Sequence, residues 1–349
     1  MPPEIDGYLA RTFWHCVAHR SELPNDRDFI RLEWIMGDLV LYNDMGTIIA
    51  FDNICPHRGN RFLPEDEGNA PLSCTYHGWG YRGGKLRVPK PESYKPCDLK
   101  RVRLNSFHTA WCGDFLFVAI APRTDLATQL GRLADILTGM SHDISRRHAR
   151  IGYPYECQWR IAVENALEPD HVPFVHSDTL GSLQLKPGHN AYYERNSVLN
   201  APIGNERIKR GLNRISRFFD VQHNEKSYIA IFIFPFSFLS STFGYTYSLQ
   251  NFLPSRNGRH THFTTRMFHS RLTSTGENEA IIKPFLAGVE KLNSQVFQED
   301  SEICKNISPD FPLDGMNSIL SSTEEKIAHF RKCIEDIKKE QSPSHIAHA

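Results

Sequence analysis

Two short stretches of the chain bring together residue types that bind transition metals. Cys55-Pro56-His57 is followed, after a gap of sixteen residues, by Cys74-Thr75-Tyr76-His77. Each arm offers one thiolate and one imidazole, so two arms meeting at the tips of adjacent hairpins could surround one inorganic centre. A structural zinc ion also accepts two Cys and two His. Such sites usually pair Cys with Cys and His with His, each pair on its own arm. Here the types are interleaved. An iron–sulfur centre in which one iron takes both cysteines and the other both histidines requires that mixing. Cys16, Cys97, Cys112, Cys157, Cys304 and Cys333 show no ligand spacing and read as buried, unreactive thiols.

A second group lies in the stretch from Trp159 to His176. Glu168 and His171 are three apart, which on a helix puts them on one face. His171 and His176 are five apart, about 140° around a straight helix, too far to share one small ion. Pro173 lies between them and would end a regular helix, letting His176 swing round. Two neighbouring His with a carboxylate from elsewhere make the facial triad of non-haem Fe(II) sites, which leaves positions open for O₂. The third ligand must come from far along the chain. Glu299 and Asp300 both border the apolar stripe of a helical segment, one on each side, and periodicity does not choose between them.

The elements that would position these residues change character along the chain. Phe29–Leu32, Leu39–Tyr42 and Thr47–Phe51 read as strands, the last two joined by a turn at Asn43 to Gly46. Residues 76 to 88 look like a hairpin turned by Gly83-Gly84, and Leu116 to Ile120 adds a strand. Thr124 to Met140 is amphipathic and marks a boundary. Beyond it Tyr228–Pro235, Phe243–Leu253 and His260–Phe268 alternate as strands. Residues 281 to 307 and 322 to 339 have helical periodicity, the second opened by a capping box of Ser322 and Glu325. The tail after Gln341 reads as loose. Phe232, Phe234, Phe236, Phe243, Tyr245 and Tyr247 are mostly core, with some expected to line a substrate cavity. His260 and His262 share one face of a strand with no carboxylate nearby and read as structural or solvent-facing.

The residues around the ligands carry a specific resemblance. Cys55-Pro-His-Arg-Gly59 and Cys74-x-Tyr-His-Gly-Trp79 resemble the two cluster-binding loops of Rieske proteins. Asn165-x-x-Glu168-x-x-His171-x-x-x-x-His176 resembles the signature of Rieske non-haem iron oxygenase α-subunits. The likeness runs from Phe13-Trp14 to the helix near residue 300, and the length suggests the shorter, vanillate demethylase and phthalate dioxygenase-like group. It implies an α+β fold: a Rieske β-domain over residues 1–140, then a catalytic domain over 141–349. The latter would be of the helix-grip type, an antiparallel sheet wrapped on helices.

The resemblance also implies cofactors and roles. A [2Fe–2S] cluster would sit on Cys55 and Cys74 at one iron and on His57 and His77 at the other. A mononuclear Fe(II) would take His171, His176 and, of the acidic pair, Asp300. Glu168 fills the position of the family's bridging acid, an electron relay between the iron-site His and a cluster His of the next subunit in a homotrimer. Asp is common there; Glu changes the reach but keeps the charge. The implied reaction is hydroxylation or oxidative demethylation of a small organic, aromatic or cyclic, substrate with O₂.

No Gly-rich dinucleotide fingerprint or flavin motif is present, so electrons are expected from a separate NAD(P)H-dependent reductase, with or without a ferredoxin. Arg58, Arg61, Arg82, Lys85, Arg87 and Lys90 flank the cluster loops, as a docking face for an acidic donor or as solvated surface. The alternative function is a Rieske electron-transfer protein with an appended ligand-binding domain, which would hold no iron at His171 and His176. The 40 basic and 40 acidic residues balance, which argues against nucleic acid or an anionic membrane as the main partner. The start has no apolar signal core, and the apolar run Tyr228 to Phe234 is far shorter than the ~20 residues of a spanning helix. A soluble, cytoplasmic protein is the expectation.

Overall fold

The computed structural model describes residues 4–34, 36–223, 226–273, 279–308 and 319–341. The tail after Gln341 lies outside them.

Seven strands form the first antiparallel sheet, in the order His15–His19, Phe115–Ala119, Ser106–Cys112, Thr47–Asp52, Gly37–Asp44, Asp28–Trp34 and Glu67–Asn69. A separate two-stranded hairpin, Gly80–Arg82 with Lys85–Arg87, turns at Gly83 and Gly84, both with positive φ (56° and 71°), as the Gly-Gly pair led one to expect. The larger sheet runs Ile144–Tyr155, Thr261–Leu272, Thr246–Pro254, Ser237–Thr242, Tyr228–Ile233, Asn196–Ala201 and His189–Tyr193, with the short Phe219–Asp220 beside Thr261–Leu272.

This larger sheet is buried on both faces, and strand alternation sorts the contacts. Ala230 and Phe232 face one core with the helix Trp159–Leu167 and the long helix Glu279–Lys305. Ile231 and Ile233 face another core with Leu133, Leu137 and Met140 of the helix Leu133–Asp143. The first core also takes in Val17, Ile30, Leu39 and Leu116, so the two sheets share apolar packing. The last helix, Glu325–Gln341, lays Ile327, Phe330, Ile334 and Ile337 into the same core as their spacing foretold. Its cap falls one residue earlier than expected. Ser321 N donates to Glu324 Oε2 at 2.6 Å, while Glu325 is drawn away by Asn190 Nδ2, also at 2.6 Å. Among the described residues no helix is long and apolar enough to cross a membrane.

Five of the six cysteines outside the cluster loops are buried; Cys97 is exposed, because it lies on the short surface helix Pro96–Arg101, which has no buried residue.

Candidate metal centres

The two Cys-and-His loops are built on one frame. Cys55 N donates to Asn60 O (2.8 Å) and Cys55 O accepts from Gly59 N (2.9 Å). Cys74 N donates to Trp79 O (2.7 Å) and Cys74 O accepts from Gly78 N (2.8 Å), with the same offsets. Gly59 and Gly78 close the loops at φ +74° and +69°, a conformation that L side chains rarely adopt. Each frame turns amides toward its sulfur: His57 and Arg58 N–H toward Cys55, Tyr76 and His77 N–H toward Cys74. Burial raises the Cys74 thiol, but those amides and Asn60 Nδ2, 3.5 Å from Sγ, outweigh it and hold the group below the usual thiol range.

The imidazoles sit beside these sulfurs. The His57 and His77 rings meet edge to face at 4.6 Å, and His57 stacks on Trp79 at 4.7 Å. His57 Nδ1 is buried with no hydrogen-bond partner, which suits a nitrogen whose partner is a metal. His77 is exposed. Two converging thiols, an orphaned imidazole nitrogen and amides aimed at sulfur fit a [2Fe–2S] cluster. Of the basic residues nearby, Arg82 is tied to Asp26 at 2.7 Å and Arg61 to Asp38 at 2.8 Å, whereas Arg58, Lys85, Arg87 and Lys90 are exposed.

At the second site the local backbone differs from the sequence expectation. The helix Trp159–Leu167 stops before Glu168, whose backbone is extended (φ −105°, ψ 144°) because Pro169 follows it. Glu168 and His171 therefore do not share a helix face. They meet because the Glu168 carboxylate folds back to accept from His171 N (3.1 Å) and from His171 Nδ1. Pro173 does not end a helix either; it sits in the first turn of Val172–Val175, where its missing N–H costs nothing. His171 and His176 flank this single turn, and their rings come to 5.0 Å.

Asp300 closes the group. Its Oδ1 lies 3.0 Å from His176 Nε2 and 3.5 Å from His171 Nε2, and Asn165 Nδ2 donates to it at 2.6 Å. His171, His176 and Asp300 each offer a ligand atom within 4.8 Å of the others, the one such group of three among the described residues. Glu299 takes the opposite nitrogen, His176 Nδ1, at 2.7 Å, and is held by Thr179 Oγ1 at 2.6 Å. The adjacent acids thus grip opposite edges of one imidazole, and only Asp300 faces both Nε2 atoms. Each His has one nitrogen turned inward and the other backed by a carboxylate, an arrangement that orients metal-binding imidazoles. Burial disfavours the charged forms, yet the carboxylates prevail: Asp300 and Glu168 raise His171 to about 9, and Asp300 and Glu299 raise His176. Burial likewise raises the Asp300 carboxyl, but the two imidazoles carry it below the ordinary range. Two imidazoles, one carboxylate and open space beside them fit a mononuclear Fe(II).

That space is a cavity of ≈ 80 Å³ between the site and the larger sheet. It is several times the ~10–15 Å³ that one water requires. Tyr228, Phe238 and Phe297 supply its aromatic wall. None of the six aromatics singled out in the sequence lines it. Phe232, Phe234 and Phe236 are core under the helices, and Phe243, Tyr245 and Tyr247 lie in other apolar clusters. Gln250 and Lys326 also line it, and neither was marked by any sequence signal.

Two iron-site geometries on a β-rich cluster domain and a sheet-and-helix domain define a Rieske-type protein with a second, mononuclear centre. Residues 13–103 match the Rieske [2Fe-2S] domain model, and residues 143–340 match that of the ring hydroxylating alpha subunit catalytic domain. The chain belongs to the ring-hydroxylating alpha-subunit family. Similar proteins include a glycine betaine monooxygenase oxygenase subunit of Chromohalobacter salexigens, 30% identical over 49% of this chain and 39% of the relative. A carnitine monooxygenase oxygenase subunit of Escherichia coli K12 is 31% identical over 52% of this chain and 50% of the relative. The chain thus spans half or less of the length of these relatives. A solved quaternary ammonium Rieske monooxygenase shares the fold at a TM-score of 0.75 and 18% identity, over 95% of this chain and 91% of the other.

Proposed function

We propose that the chain is the terminal oxygenase component of a multicomponent Rieske non-haem iron system, hydroxylating or oxidatively demethylating a small organic substrate. The observation that carries this reading is the presence, in one chain, of a surface-reaching Cys-and-His cradle and an open two-His, one-carboxylate group beside a small cavity. In this assignment Cys55, His57, Cys74 and His77 hold the cluster, and His171, His176 and Asp300 hold the mononuclear iron. When bound, the cluster supplies single electrons and the mononuclear iron supplies activation of O₂.

The chain's own residues do the rest. Glu168 and Glu299 fix the imidazole orientations from behind, and Asn165 fixes Asp300. Tyr228, Phe238 and Phe297 exclude water and orient the substrate. Glu168 is further assigned as the relay to His57 or His77 of a neighbouring subunit in a head-to-tail ring of three. Apolar side chains exposed beside the two sites support that interface: Phe174 (86%), Tyr76 (58%) and Ile54 (49%). The names of the two relatives, each an oxygenase subunit, support dependence on a separate NAD(P)H-dependent reductase, with or without a ferredoxin. A cytoplasmic setting suits that electron supply. We take the two-part division near residue 140, inside the helix Leu133–Asp143.

The test is reconstitution with iron, sulfide and a reductase, following O₂ uptake and formaldehyde release over a substrate panel. Substrate-dependent O₂ uptake with cluster reoxidation is expected. A cluster that is reduced but never reoxidised with any substrate would sink the oxygenase reading in favour of an electron carrier.

A further inference from the structure

Lys326 is the least expected residue in the cavity wall. It is 4% exposed, and a lysine is almost never fully buried unless paired. Yet among the described residues its ammonium has no hydrogen-bond or ion-pair partner, only the longer-range fields of Glu168 and Glu325. Both of those carboxylates are already engaged, Glu168 by His171 and Glu325 by Asn190 at 2.6 Å. Burial draws the amine down to about 8 and the two carboxylates oppose that fall, so it carries its charge at neutral pH.

The fold places Lys326 in the wall of this cavity. Lys326 is the second residue of the helix Glu325–Gln341, whose amide dipoles add positive potential at that end. The turn before the helix is tied to the iron-site loop, since Ser321 Oγ donates to Asp170 Oδ2 at 3.0 Å. Lys326, Glu168 and Asp300 therefore line one space, faced by the apolar Phe238, Val296 and Phe297.

Building on the oxygenase reading above, we propose that Lys326 is a specificity-determining residue that binds the carboxylate of an anionic substrate and turns its carbon skeleton toward the His171, His176 and Asp300 group. One buried cation balances one negative charge. A phosphate dianion would exceed it beside Glu168 and Asp300, and a quaternary ammonium head would meet a like charge. The small cavity further restricts the substrate to a compact acid.

The experiment compares propionate, benzoate and phenylacetate with their neutral amides, by calorimetry on the iron-loaded protein, for wild type, Lys326→Met and Lys326→Arg. Wild type is expected to bind at least one acid more tightly than its amide. Lys326→Met should weaken that acid about 10- to 100-fold, the worth of a hydrogen bond to a charged group, and leave the amide unchanged. Lys326→Arg should restore most of the preference, and iron content should stay the same in all three. No acid preference in wild type, equal weakening of acid and amide, or loss of iron in Lys326→Met would each overturn the proposal. These are binding readouts. Charge-selective binding without O₂ uptake would defeat the oxygenase reading alone, and O₂ uptake with charge-blind binding would defeat only the role of Lys326.

Discussion

The two candidate centres solve opposite problems with the same side chain, imidazole. In the cluster cradle the sulfurs are held by neutral amides and His77 is left exposed. In the mononuclear site each imidazole is clamped from behind by a carboxylate, and His176 is 1% exposed. Amides add dipoles without net charge and an exposed ring shortens the path to a donor, which suits a group that only passes electrons. A carboxylate behind each ring fixes its rotation and makes it a better donor to a dication, which suits a site that must keep coordination positions open. The cradle is also local, two copies of one loop, whereas the second site spans 124 residues from His176 to Asp300. Its geometry depends on the fold of the whole second half.

That contrast can be broken first by ligand removal. His171→Ala and His176→Ala should each lower turnover by more than ~100-fold, beyond what loss of an outer partner costs, while the visible absorption of the cluster stays. Loss of the cluster signal in either variant would mean that the two centres are not independent. Next in size is Glu168→Gln. It should keep both metals and lose about 10- to 100-fold in turnover, with cluster reoxidation slowed in stopped-flow traces. A monomer of this variant that reoxidises at the wild-type rate would remove Glu168 from the electron path.

Two smaller tests probe the frame rather than the chemistry. His15 is fully buried, bonds Ala10 O at 3.0 Å and stacks on Phe236, joining the first sheet to the core under the helices. Burial lowers it to about 4 from 6.5, with the bonds to the Ala10 and Leu9 carbonyls opposing. The folded state therefore refuses a proton that the unfolded chain accepts. Its contribution is present above pH 6.5 and is lost as pH falls from 6.5 to about 4, by ~3 kcal/mol at most. The urea midpoint of His15→Phe should fall less than that of wild type between pH 7 and 4.5. Smallest is the twin-loop comparison. Gly59→Ala meets nothing within 4 Å and should cost ~1 kcal/mol for its φ alone. Gly78→Ala adds a contact at 2.9 Å with Pro89 Cγ and should lower the melting temperature further. Equal melting temperatures would mean that the Pro89 contact relaxes at no cost, leaving only the φ strain that the two loops share.

The cradle was legible because both loops are contiguous and their ligands repeat at short spacing. The second site was legible only in part. Its two His were marked by spacing, but the choice of Asp300 over Glu299 came from resemblance, since helical periodicity places both acids beside the stripe. The local backbone was misread at two prolines: Pro169 forces Glu168 out of the helix, and Pro173 opens a turn instead of closing one. The cavity wall was the least legible part. Alternation finds which aromatics are buried but not which core they enter, and the sheet is buried on both faces. Lys326 stands beside Glu325 at the start of an amphipathic helix, where a lysine ordinarily signals solvent.

Iron content per chain tests the central claim, that one chain holds two distinct iron centres on these ligands. It should be measured for wild type, Cys74→Ala, Asp300→Ala and Glu299→Ala after identical reconstitution. The account predicts about three irons in wild type, about two in Asp300→Ala with the cluster resonance intact, and about one in Cys74→Ala. Glu299→Ala should retain its mononuclear iron at saturating metal. Three irons in Asp300→Ala with two in Glu299→Ala would move the third ligand by one residue, and zinc in place of iron at either centre would contradict the account.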